Sequence, residues 1–138
     1  MKEDELHRWI VMWLDEALPM GSMFHHSPNE GKRHVSYKLK LKTMGTRSGW
    51  PDLELFVPRH AWKDPQQQGA IMLEIKRPKG GRVSENQKEI MERLRDAGVY
   101  CFVVKRIGHV KSLLEAMVKL RDTSKMQQIQ KMCETGGG

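Results

Sequence analysis

The stretch from Gly49 to Gln87 constrains this chain most. Gly49-Trp50-Pro51-Asp52 opens one apolar run, Leu53 to Val57. Leu73-Glu74-Ile75-Lys76 lies in another, ahead of Arg77-Pro78-Lys79-Gly80-Gly81-Arg82-Val83-Ser84. Side chains on a strand alternate between faces, so Glu74 and Lys76 point one way while Leu73 and Ile75 point the other. In the first run Asp52, Glu54 and Phe56 share a face, and Leu53, Leu55 and Val57 share its reverse. Each predicted strand therefore has a core face and a chemical face. Two carboxylates and an ammonium on adjacent strands are the groups that phosphodiester hydrolysis by a hard divalent cation requires. Carboxylate oxygens hold the metal, and a nearby cation positions water and offsets developing negative charge. Asp52, Glu74 and Lys76 supply these groups, with Glu54 as a second-rank ligand.

An aspartate followed after 21 intervening residues by Glu-x-Lys is weak by itself, because exposed strand edges often carry Lys and Glu as ion pairs. The surrounding text is more specific. Gly45-Thr46-Arg47-Ser48-Gly49-Trp50-Pro51-Asp52 and Glu74-Ile75-Lys76-Arg77-Pro78-Lys79-Gly80-Gly81-Arg82-Val83-Ser84-Glu85-Asn86-Gln87 together resemble the virus-type replication-repair nuclease (VRR-NUC) domain of the PD-(D/E)xK nuclease superfamily. The resemblance runs from the N-terminal helix to about Ile107. It implies an α/β, restriction-endonuclease-like core with a small mixed β-sheet flanked by helices, and Mg²⁺- or Mn²⁺-dependent cleavage of DNA. For small stand-alone members it implies a homodimer acting on branched or flapped DNA, commonly as a phage product in a bacterial cytoplasm. It also implies metal roles for Asp52 and Glu74, a third oxygen ligand in the backbone carbonyl of Ile75, and a catalytic-site place for Gln87. Pro28-Asn29-Glu30-Gly31-Lys32-Arg33 resembles the family's Pro-Asn-x-Gly-x-Arg stretch, which points Lys32 and Arg33 toward the substrate. Superfamily members often place an extra acid on the first helix, and Glu3 fits that place better than Glu5.

The residues themselves leave several of these roles with a competing account. Ser84-Glu85-Asn86-Gln87 is a complete capping box, in which Gln87 has a structural task whether or not it serves the metal. Glu3 extends the apolar stripe of its helix, yet a carboxylate there also favours the helix dipole. Lys76 is either an ion-pair partner for Glu74 or the catalytic cation, and the two roles are compatible. Arg77, Lys79 and Arg82 extend one basic strip suited to a DNA backbone. Lys38, Lys40, Lys42 and Arg47 read as a solvated face, with Arg47 also assigned to nucleic-acid contact. On a helix the three lysines do not align on a single side. His25 and His26 lack a third ligand at metal-site spacing and read as loop histidines.

Composition narrows the classes. At 138 residues the chain is one domain's worth, enough for a core that buries roughly 68 to 70% of its extended surface. Its formal net charge of +7 favours polyanions. The longest apolar run, Ile10 to Leu14, is far short of the ~20 residues of a membrane span, and the acidic first turn is unlike a signal peptide. The reading is therefore a cytoplasmic protein with no membrane partner and no small-molecule cofactor. Two cysteines, Cys101 and Cys133, make neither a disulfide scaffold nor a zinc site.

Periodicity predicts a helix over 3–17, a loop over 18–34, strands near 52–57 and 70–76, a helix over 84–97 and a covered central strand over 99–105. A further helical pattern spans 110–120. Residues 35–44 alternate as a strand would, but their lysines and the cap position of Gly45 favour a helix. Trp9, Met12 and Trp13 read as core, and Trp62 as a core cover or part of a dimer seam. The nuclease domain is expected over 1–121. The polar segment 122–138 is expected as a frayed helix or a disordered tail. Two rival functions remain at this level: a non-cleaving DNA-binding module of the same fold, and a sequence-specific restriction-type endonuclease, for which the chain is short.

Overall fold

The structure is a computed structural model and describes residues 1–27 and 35–136. The chain runs α1 (Glu3–Ala17), β1 (Met23–His26), α2 (Val35–Thr43), β2 (Leu53–Phe56), two 3₁₀ turns (Arg59–Ala61 and Pro65–Gln67) and β3 (Ile71–Ile75). It continues through α3 (Glu85–Asp96), β4 (Tyr100–Val104), α4 (Ile107–Met117) and α5 (Ser124–Gly136). The four strands form one mixed sheet in the order β1-β2-β3-β4. The β1/β2 and β2/β3 pairs are antiparallel, and α3 supplies the crossover that a parallel β3/β4 pair requires.

Strand alternation sorts the side chains as the sequence demands. Leu53, Leu55, Ile71, Leu73 and Ile75 face a core closed by Leu6, Ile10, Trp13, Leu14 and Ala17 of α1, Ile107, Val110 and Leu114 of α4, and Met126, Ile129 and Cys133 of α5. The reverse face carries a smaller apolar cluster, in which Met72, Cys101 and Met91 pack with Trp50, Val83 and Leu94 beneath α3. Between these layers every residue of β3 is buried.

Several expectations need correction. β1 occupies part of the segment expected as loop. It is an edge strand whose residues are mostly exposed, so it shows no apolar alternation. β2 and β3 are the interior strands, whereas β4 lies at the sheet edge and takes its apolar character from the helices that cover it. The segment after Asp122 forms α5, which lays Met126, Ile129 and Cys133 against α1 and contributes to the core. Met12 is 47% exposed, on the outer face of α1. Trp62 is buried, its indole Nε1 donates to the Val57 carbonyl at 3.0 Å, and it covers the core. α2 is helical, yet buries no side chain. No helix among the described residues is long and apolar enough to cross a membrane.

Candidate active site

The reverse face of the sheet, at the C-terminal end of β3, opens into a cleft of about 110 Å³ lined by Glu3, Ser27, Arg47, Ser48, Gly49, Trp50, Asp52, Glu74, Lys76 and Gln87. Asp52 precedes β2. Its backbone is fixed by β1, because its carbonyl accepts the Ser27 N–H at 3.0 Å and lies 2.9 Å from His26 Nδ1, which must therefore donate. Its carboxylate crosses to the neighbouring strand, where Oδ2 accepts the Ile75 N–H at 2.7 Å. Amide and carbonyl of one strand residue point to the same side, so the Ile75 carbonyl is turned toward the Asp52 side of β3. The Lys76 N–H instead continues the ladder to the Val104 carbonyl at 2.9 Å.

Glu74 and Lys76 follow Met72 on the face beneath α3. Both are buried, and Lys76 Nζ lies 3.2 Å from Glu74 Oε2. The same Oε2 accepts a hydrogen bond from Gln87 Nε2 at 3.0 Å. Gln87 also completes the capping box of α3: its Oε1 accepts the Ser84 N–H at 2.9 Å, and its own N–H donates to Ser84 Oγ at 3.1 Å. One side chain thus uses its carbonyl oxygen for the cap and its amide nitrogen for the carboxylate. That division satisfies both partners with a single amide orientation.

Burial raises the Glu74 pKa to about 7, and the nearby Asp52 charge adds to the rise while Lys76 opposes it. Glu3, at the start of α1, is also raised, first by burial, with Lys76 and the Arg77 N–H opposing. Burial followed by the proximity of His26 lowers the pKa of His7, whose ring meets that of His26 edge-on at 4.5 Å.

Of the residues singled out from sequence, Asp52, Glu74, Lys76, Gln87, Glu3 and Arg47 share the cleft lining. Arg77, Lys79 and Arg82 are exposed and do not line it. Lys79 borders a separate groove with Lys105 and Arg106. Lys32 and Arg33 lie outside the described residues. Glu54 accepts from Trp50 Nε1 at 2.8 Å and Ser27 Oγ at 3.0 Å, so it anchors the wall of the cleft. Ser27, Ser48 and Trp50 were not singled out from sequence. Ser48 and Trp50, inside the stretch from Gly45 to Asp52, carried a local signal, and Ser27 carried none. Gly49 is required as well: its φ is +84°, and a Cβ there would sit 2.6 Å from Asn86 Nδ2, which donates to the Ser48 carbonyl at 2.9 Å.

The donor set can be tested against a divalent cation. Among the described residues no group of three His, Cys, Asp or Glu side chains is placed to hold a metal. Mg²⁺-type sites, however, commonly use one or two carboxylates and fill the remaining positions with water and substrate phosphate. Asp52, Glu74 and the Ile75 carbonyl offer only hard oxygen. The buried Glu74 carboxylate has Lys76 beside it, yet burial and the Asp52 charge still disfavour its ionised form, so a further positive charge there would stabilise it. The residues fit a hard divalent ion.

A mixed four-stranded sheet with helices on both faces, and an acid, an acid and a lysine at one strand end, defines a restriction-endonuclease-like nuclease core. The chain belongs to the VRR-NUC domain family, whose profile matches residues 1–106. It is similar to a solved "VRR_NUC domain protein" at 28% identity and a TM-score of 0.66, with 88% of this chain and 92% of that one covered. A second solved structure, a "VRR_NUC domain", is alike in fold, with 22% identity, a TM-score of 0.54 and coverage of 83% and 96%. No curated protein matches the chain.

Proposed function

We propose that this protein is a Mg²⁺- or Mn²⁺-dependent endodeoxyribonuclease that hydrolyses phosphodiester bonds in branched or flapped DNA, serving phage replication, recombination or repair. The observation that carries this reading is the meeting of Asp52, Glu74 and Lys76 in one cleft, with Asp52 bonded to the Ile75 amide and Glu74 held by Lys76 and Gln87. Asp52, Glu74 and the Ile75 carbonyl would hold the cation, with Glu3 as a further carboxylate at the rim. When bound, such a cation supplies Lewis acidity toward a phosphoryl oxygen and lowers the pKa of water.

The remaining work belongs to the protein. Lys76 directs its ammonium donors at the attacking water and at the negative charge that develops on the phosphoryl oxygens. Gln87 positions Glu74. Arg47, Arg77, Arg82, Lys79, Lys32 and Arg33 hold flanking phosphates. A new P–O bond from water forms as the bond to the leaving oxygen breaks, without a covalent enzyme intermediate. A homodimer, with two such clefts, suits a two-fold branched substrate.

The test is a cleavage panel of labelled four-way, flapped and linear DNA with Mg²⁺, Mn²⁺ or chelator. Branched DNA should be cut with metal and left intact with chelator. Asp52→Ala and Lys76→Ala should each lower the rate by at least about 10²-fold while DNA binding persists. No product on any substrate would leave a binding module, and defined cuts within linear duplex would favour a restriction-type enzyme.

A further inference from the structure

Beside the catalytic cleft lies a second depression, a groove of about 620 Å³ between α2 and α3. Arg47 and Ser48 line both, so the two adjoin. α2 contributes Val35, Lys38, Leu39 and Lys42, positions i, i+3, i+4 and i+7, which form one helical face. Lys38 and Lys42 thus share a side that Lys40 does not. Ile90 of α3 borders the groove opposite. Val35 is 69% and Leu39 58% exposed, although both flank a concave surface.

We propose that this groove receives an unpaired DNA strand leaving the scissile site, such as the arm of a flap or an open branch. The inference rests on the nuclease reading and names the part of the substrate that the neighbouring groove takes. Charge selects nucleic acid: among the described residues the lining holds Lys38, Lys42 and Arg47 and no carboxylate. Adjacency at Arg47 selects the strand that enters the cleft. The apolar side chains select a single strand over a duplex. A duplex stacks its base faces inside and would offer Leu39, Val35 and Ile90 only sugar and phosphate. An unpaired strand presents base faces that apolar side chains can cover while the lysines meet its phosphates.

The test is binding in chelator, so that cleavage plays no part. Fluorescence anisotropy compares the wild-type chain with Lys38→Ala/Lys42→Ala on labelled duplexes with and without a single-stranded arm. The wild type should bind the armed duplex more tightly. The double variant should lose about five- to tenfold on the armed duplex, with a salt slope shallower by about 1.4, the value for two single-strand phosphates. Blunt-duplex affinity should stay unchanged. Because α2 buries no side chain, circular dichroism and the Tm should match the wild type. Equal losses on both DNAs, or no loss, would overturn the proposal. So would a Leu39→Glu variant that changes the mass measured by light scattering, since the groove would then be a seam between copies. If no DNA is cut but arm-dependent binding follows Lys38 and Lys42, the nuclease reading fails and the groove stands. Normal branched cleavage without arm dependence gives the reverse.

Discussion

At the scale of single residues the site is governed by where charge is buried. Glu74 sits in a strand with every residue buried, and burial more than Asp52 raises its pKa from 4.5 to about 7. Between those values the folded protein binds more protons than the unfolded chain. The contribution of Glu74 to stability is therefore full below about 4.5 and is lost as the pH rises through 7. In chelator we expect the protein to be less stable at pH 8 than at pH 5 by about 1 to 3 kcal/mol from this group. Glu74→Gln should flatten that slope in urea titrations at the two pH values. Gln87 carries two tasks, which substitution separates. Ser84→Ala removes the cap alone and should cost about 1 kcal/mol of stability with turnover retained. Gln87→Ala also frees Glu74 and should reduce kcat with a similar loss of stability. The capping role was legible in the motif Ser-x-x-Gln. The contact to Glu74 was not, because it joins α3 to β3 across a register that no local spacing encodes.

At the scale of elements, legibility followed local signals. α3 was readable from its cap, its amphipathic face and Gly98. α2 was decided by its end rather than its period: Gly45, with φ +102°, and Thr46 return N–H groups to the carbonyls of Lys42 and Leu41 in a Schellman arrangement. The strand-like alternation of Val35, Tyr37, Leu39 and Leu41 competed with that signal because α2 has no buried face to impose a helical period. β1 was illegible for a related reason, since a four-residue edge strand with only Phe24 turned against the core carries no period. Tertiary ties were invisible too. The C-terminal end of α1 has no basic residue of its own, yet Arg121 reaches back to the carbonyls of Leu18 at 2.7 Å and Asp15 at 2.6 Å. α5 hid its core role because its buried residues, Met126, Ile129 and Cys133, are few among glutamines. Ile129→Ala should destabilise the whole domain by about 2 to 4 kcal/mol in urea unfolding, the cost of a cavity in a packed core. A peripheral tail would tolerate the same change with little effect.

At the scale of the whole molecule a net charge of +7 attracts any polyanion, so attraction alone says little about the site. What distinguishes a nuclease surface is where the cations lie. Arg77 and Arg82 flank the loop that leaves β3 directly after Lys76. That loop is held tightly by Gly81, where a Cβ would stand 2.6 Å from the Arg77 carbonyl oxygen. Lys119 borders a different depression, with Lys63 and Arg121, and none of the three lines the cleft. If affinity comes from phosphates laid across the cleft, removing a cation beside it should release one fewer counterion, and removing a distant one should change nothing. In an Asp52→Ala background, which prevents cutting, Arg82→Ala should reduce the slope of log affinity against log salt on duplex DNA by about 0.9. Lys119→Ala should leave that slope unaltered although it lowers the net charge by the same amount. Equal effects from the two variants would mean that the long-range field of the molecule, and not contact at the cleft, sets its affinity for DNA.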